Sequence, residues 1–154
     1  MDCDIIEFET KYRANFEQLN NEWLEEHFYI EDYDREVLQN PEKYILDPGG
    51  QILFAKVQKE IVGVVALIVR DHGVLELSKM GVTDKFQGQK IGLKLMLAAI
   101  EYCRNNGANT VMLDSNRKLV PAITLYNKMG FKEVEVPKDT PYERCNIRME
   151  LSLI

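Results

Sequence analysis

Apolar and polar positions along the chain fall into three regimes. Near the start, Tyr12, Phe16, Leu19 and Trp23 recur at steps of four, three and four, the spacing of one helix face. In the middle, three strand-like runs, 51–57, 61–70 and 74–82, are separated only by Gln58-Lys59-Glu60 and Asp71-His72-Gly73. Connections that short join antiparallel neighbours, so the spacing predicts a β-meander. Its middle run, from Ile61 to Val69, is almost wholly apolar, as expected of a central strand covered on both faces. The pattern then changes. Residues 91–103 are apolar nearly all round, which predicts a well-buried helix with Gly107 as its C-terminal stop.

Shorter features complete the expected order. Residues 5–8 read as an edge strand. Asp34 is placed to cap a second short helix that stops near Asn40-Pro41. Asp47-Pro48-Gly49-Gly50 reads as a turn. Thr110-Val111-Met112-Leu113 is a short buried strand, and Pro121 stands where a first helical turn tolerates proline. Gly130 closes that helix after Met129, and residues 131–136 and 144–153 form the last two strands. The sum is an α/β domain with a mixed, mostly antiparallel sheet flanked by helices. It is expected to be a single domain over residues 1–154.

Composition narrows the function. Apolar residues make up 45% and charged residues 29% of the 154 positions, a globular balance. No apolar run approaches the roughly 20 residues that span a bilayer. The acidic start Met1-Asp2-Cys3-Asp4 lacks the basic region of a signal peptide. A cytoplasmic protein with no membrane partner is expected. A net charge of -6 makes a nucleic-acid partner a poor fit and suits a cationic or amine substrate. Cys3, Cys103 and Cys145 are widely spaced and odd in number, and the two histidines are His27 and His72. Neither a disulfide framework nor a metal site is expected from them.

The candidate chemistry lies in Gln87-Gly88-Gln89-Lys90-Ile91-Gly92, between the last meander strand and the buried helix. A helix N-terminus presents unpaired backbone N–H groups and a partial positive charge, a ready anion site. Gly88 lets backbone approach a ligand closely, and Gly92 keeps a side chain out of the first turn. On its own the segment is equally consistent with a plain turn that contains two glycines. The patterns G-x-x-x-x-G-K-[ST] and G-x-G-x-x-G are both absent. Asp114 does stand about twenty residues downstream, where a dinucleotide fold keeps its ribose-binding acid. However, an antiparallel meander before the turn is expected to be incompatible with a parallel βαβ unit. A nucleotide-binding oxidoreductase is therefore the remoter alternative.

The run from Met80 to Gly92 resembles motif A of the GNAT N-acetyltransferase superfamily, an aliphatic strand end followed by Arg/Gln-x-x-Gly-x-Gly/Ala. A second block runs from Leu113-Asp114-Ser115-Asn116 through Ala122-Ile123-Thr124-Leu125-Tyr126 to Gly130-Phe131. It is similar to that family's Asn…Ala-x-x-Leu-Tyr-x-x-x-Gly-Phe. Lys90 departs from the pattern by replacing the middle glycine. A backbone N–H survives there, and the lysine either adds a cation beside phosphate or points to solvent. Asn21-Glu22-Trp23-Leu24-Glu25 and the ending Tyr142 to Leu151 resemble a GNAT group that often occurs fused to helix-turn-helix regulators.

The resemblance implies an acetyl-CoA-dependent transfer to a primary amine by direct attack on the thioester. It implies strands splayed at the cofactor site, with Met80, Gly81 and Val82 along the pantetheine arm. Gln87, Gly88, Gln89, Lys90, Ile91 and Gly92 would hold the pyrophosphate, and Asn116 would contact the CoA arm. Tyr126 matches the tyrosine that protonates the departing thiolate, and Glu76 stands where some members carry a general base. By strict alternation, Glu76, Ser78, Met80 and Val82 share one face, a phase that a bulge would shift. Glu26, Phe28, Tyr29, Tyr142 and Arg144 are the candidates for the acceptor wall. The partner expected is an amine-bearing small molecule or peptide, with a homodimer left open. The alternative is a CoA-binding sensor or interaction module without transfer activity.

Overall fold

The computed structural model describes residues 2–154. Within them seven strands form one sheet in the order β1-β2-β3-β4-β5-β7-β6. β1 (Cys3–Glu7), β2 (Gln51–Val57), β3 (Glu60–Val69) and β4 (Val74–Val82) pair antiparallel in sequence order. This is the expected meander, with the residue 5–8 strand at the edge and shifted to begin at Cys3. β5 (Thr110–Ser115) lies parallel to β4, while β7 (Ile147–Ser152) runs antiparallel to both β5 and β6 (Lys132–Val134). The last two strands are shorter than their apolar patterns because residues 135–146 fold as a loop.

Strand alternation sends β2 and β3 side chains into two cores. Ile52, Phe54, Val64, Ala66 and Ile68 meet Phe16, Leu19 and Leu24 of α1 (Arg13–His27) and Val37 and Leu38 of α2 (Asp32–Gln39). Leu53, Ala55, Val65 and Leu67 meet Ile91, Leu95, Met96 and Ala99 of α3 (Ile91–Asn105) on the other face. The central strand β3 is buried along nearly all its length, as its apolar run requires. α3 stops in a Schellman arrangement. Ala108 N–H donates to Cys103 C=O at 3.1 Å and Gly107 N–H to Arg104 C=O at 3.2 Å. α4 (Val120–Met129) carries Pro121 in its first turn and ends at Gly130. A short π-helical turn, Glu42–Leu46, precedes the Asp47-Pro48-Gly49-Gly50 turn.

Three expectations are corrected. Glu31, not Asp34, caps α2. Asp34 is the third helical residue, and its carboxylate accepts from Glu31 N–H at 2.9 Å in a capping box. The antiparallel meander does coexist with a parallel crossover, because β4-α3-β5 is one. A hairpin fixes only one edge of β4 and leaves the other free for a parallel neighbour. Finally, Glu76, Ser78, Met80 and Val82 do not share a face. Val64 pairs with Gly81 but Ala66 pairs with Ser78. Lys79 and Met80 therefore both stand opposite Val65, a β-bulge. Beyond it, Met80 and Val82 join Leu75 and Leu77 on the α3 side, while Gly81 faces Leu19 and Trp23 of α1.

Candidate active site

β4 and β5 pair only over Val74–Glu76 with Thr110–Met112. Past Glu76 the two strands separate, and the end of β5, Leu113–Ser115, is held only by β7, which pairs along all of β5. The splay opens a cleft of about 510 Å³, within the range of small-molecule sites. Its walls bring together Glu76, Met80, Gly81, Val82, Gln87, Gly88, Lys90, Ile91, Gly92, Asn116, Tyr126, Phe28, Tyr142 and Arg144. Three other candidates lie elsewhere. Glu26 is exposed and faces Asp84. Tyr29 is exposed with its hydroxyl on the Glu143 carboxylate. Gln89 faces a separate shallow depression beside Cys3 and Lys94.

At one end of the cleft is the turn into α3. Gly88 has φ +78°, and Lys90, the α3 N-cap, has φ +63°. Among the described residues no backbone N–H from Gly88 to Gly92 donates to a protein acceptor. A side chain built at Gly88 or Gly92 would meet no atom within 4 Å, so both glycines border open space. Lys90 occupies the left-handed region that the glycine of the resembling motif would adopt freely. For a residue with a Cβ this costs about 1–3 kcal/mol. Lys90→Gly is therefore expected to raise stability by up to about 1 kcal/mol, after the entropy that glycine adds to the unfolded chain. Because the backbone donors are retained, affinity for the CoA that the resemblance implies is expected to stay within about threefold. Calorimetric melting and CoA titration check both, and a tenfold loss of affinity would assign phosphate binding to the lysine ammonium.

Tyr126 and Glu76 also line the cleft. Tyr126 projects from α4, is buried, and packs on Phe131 with ring centroids 5.9 Å apart. Burial pushes its phenol up to about 12, so the hydroxyl stays protonated at neutral pH. Glu76 is also buried, and burial raises its carboxyl above the ordinary value against the opposing charge of Arg70. Arg70 reaches Glu76 Oε1 through Nε at 2.8 Å and through a terminal nitrogen at 2.5 Å. Asn116 braces the rim, donating to Arg144 C=O at 2.7 Å and accepting from Lys118 N–H at 2.9 Å.

The far end holds a buried cluster that sequence spacing missed. The Asp34 carboxylate receives Arg144 at 2.7 and 2.8 Å and Lys79 Nζ at 2.8 Å. Lys79 also donates to Tyr142 Oη at 2.5 Å, and Arg144 reaches Glu31 at 3.1 Å. Burial pushes the Asp34 carboxyl up, but Arg144 and Lys79 outweigh it and hold the group below the usual carboxylate range. Asp114, the acid considered for a ribose, is instead gripped by Arg148 at 2.7 and 2.9 Å. This end of the cleft is therefore polar yet charge-balanced. Trp23, His27 and Phe28 wall it, with the Lys118 ammonium 3.9 Å from the Phe28 ring centre. A lysine inside the apolar β4 pattern was the one available signal for the cluster.

Residues 14–131 match the acetyltransferase (GNAT) family. The chain belongs to the GNAT family. Its fold agrees with a crystal structure of a GNAT-family acetyltransferase from Staphylococcus aureus Mu50, which is 26% identical over 99% of this chain and 100% of that one, with a TM-score of 0.89. The uncharacterized N-acetyltransferase YvbK of Bacillus subtilis is 29% identical over 110 residues, 70% of this chain and 71% of its own. A Bacillus subtilis acetyltransferase solved in complex with CoA shares the fold at 20% identity, with a TM-score of 0.74 over 99% and 100% of the two chains. This GNAT protein is an N-acetyltransferase. The comparisons lend no support to the alternative of a CoA-binding sensor. Among the described residues no helix is long and apolar enough to cross a membrane. Among them also, no group of three or more His, Cys, Asp or Glu side chains is placed to hold a metal ion.

Proposed function

We propose that acetyl-CoA is the cosubstrate and that a primary amine attacks its thioester directly in the β4–β5 cleft. The observation that carries this reading is one continuous cavity joining an unbonded helix N-terminus, a splayed strand end and a protonated tyrosine. The α3 turn would take the pyrophosphate on its free N–H groups, and the β4 end, Met80 to Val82, would run beside the pantetheine. Direct attack needs a neutral amine, a placed carbonyl, oxyanion stabilisation and a protonated leaving thiolate. Tyr126 supplies the last, with a proton it holds at neutral pH. Glu76 takes the proton of the incoming amine.

Glu76 can act as a base only when ionised, and its carboxyl is raised. Transfer is therefore expected to fall as pH drops through a value above that of an ordinary glutamate. Glu76→Gln should lower the maximal rate about 10- to 100-fold and remove that acidic limb. A pH–rate profile with the limb intact would exclude Glu76 as the base. The whole reading is tested by thiol release from acetyl-CoA across a panel of polyamines, amino acids and lysine peptides. CoA binding without turnover on any of them would overturn it. The aromatic, charge-balanced acceptor end suits an amine on a small molecule or peptide.

The further likeness to GNAT domains joined to helix-turn-helix regulators rests on residues 21–25 and 142–151 alone. We propose it as kinship within the family and draw no substrate from it.

A further inference from the structure

Lys79 is an unusual residue to find where it is. It is the bulged position of β4, with φ +54°, a left-handed conformation that L side chains rarely adopt. Its side chain is only 3% exposed and its ammonium ends on the fully buried carboxylate of Asp34. The same ammonium bonds Tyr142 Oη and lies 4.5 Å from that ring's centre. Arg144, from the loop before β7, closes the other side of Asp34 and stacks 4.2 Å from Tyr142. One strand residue is thus tied to α2 and to the β6–β7 loop at once.

Past Glu76 the cleft-facing edge of β4 has no strand partner, and the bulge sets the direction of the amides along it. Here the bulge lies on the cleft wall, between Glu76 and the pantetheine stretch. We infer that the Lys79–Asp34 pair is a positioning device: it locks the β4 bulge so that an unpaired strand amide stays aimed at the acetyl carbonyl oxygen. Lys79 on this account touches neither substrate and transfers no proton. Two features argue against a plain structural role. A strained backbone with a buried charge is a poor choice for stability alone, since apolar replacements of buried pairs are often neutral or better. The strain also falls on the strand segment that lines the cleft. The inference rests on the acetyl-CoA reading above.

Isotope-edited infrared spectroscopy of bound acetyl-CoA, labelled with ¹³C at the thioester carbonyl, tests it without knowledge of the acceptor. In the wild-type protein the carbonyl band is expected to shift to lower wavenumber than in free acetyl-CoA. Lys79→Met should lose at least about half of that shift while acetyl-CoA affinity stays within about threefold, and Lys79→Arg should restore most of it. Turnover on the best amine of the panel should fall about 100-fold in Lys79→Met, with the pH profile keeping its shape. If Lys79→Met fails to fold with Asp34 left to Arg144 alone, the pair Lys79→Met with Asp34→Asn removes both charges and carries the same expectations. A full carbonyl shift in a folded Lys79 variant that binds acetyl-CoA overturns the positioning role. Loss of a limb of the pH profile overturns it too, by making Lys79 a proton carrier. No shift even in the wild-type protein means that no strand amide polarises the carbonyl, and the inference falls with it.

Discussion

Tyr126→Phe is expected to lower the rate of acetyl transfer about 100-fold while leaving CoA affinity within about twofold. The hydroxyl has no protein partner among the described residues, and its ring is fixed against Phe131. Phenylalanine keeps that packing and removes only the proton donor. A hundredfold loss corresponds to about 2.7 kcal/mol of transition-state stabilisation, appropriate to a positioned general acid and too large for a lost packing contact of one oxygen. With the phenol pushed up to about 12, its protonated form persists across the working range. The variant should therefore lower the plateau of the pH profile without moving its acidic limb. Steady-state rates and CoA titration together decide the matter. Unchanged turnover would remove Tyr126 from the reaction.

Asp34→Asn is expected to be the most destabilising single change, by about 3–5 kcal/mol. Asp34 is fully buried and neutralises Lys79 and shares Arg144 with Glu31. Removing its charge strands a buried ammonium. In a domain of this length each kcal/mol lowers the melting temperature by roughly 2–4 °C, so a fall on the order of 10 °C is expected. The two charges are coupled, so Lys79→Met combined with Asp34→Asn should be less destabilised than Asp34→Asn alone. The sign with pH follows from the carboxyl being held below its ordinary value. Its contribution is full above the unfolded-state pKa, about 4, and is lost as pH falls through the lower folded value. Urea titrations from neutral pH downward should show that loss in the wild type and its absence in Asp34→Asn. A variant as stable as wild type at neutral pH would remove Asp34 from the account of the fold.

What the chain alone made legible was whatever depends on local period or linear spacing. The 3.6-residue recurrence of Phe16 and Leu19, the alternation and tight links of residues 51–82, and the glycines around α3 are properties of neighbouring residues. They yielded the elements and the meander. The two blocks that resemble the GNAT motifs, around Gly88 and around Tyr126, are linear patterns too. The long loop of residues 135–146 was less legible, because strand length there is set by pairing with β7 and not by apolar content.

Tertiary structure alone decided which face each residue of β4 presents. The bulge that turns Met80 toward α3 arises from the register between two strands, and no periodicity within either strand contains it. It also decided the charges. Lys79 meets Asp34 across 45 residues, and Arg144 meets the same carboxylate across 110. In sequence Asp34 looks like a helix cap and Arg144 like a free cation for a substrate. Once folded, both are spent on each other, because a buried charge is tolerated only when paired. That end of the cleft is consequently balanced and aromatic, a character that an acidic chain of net charge -6 does not announce.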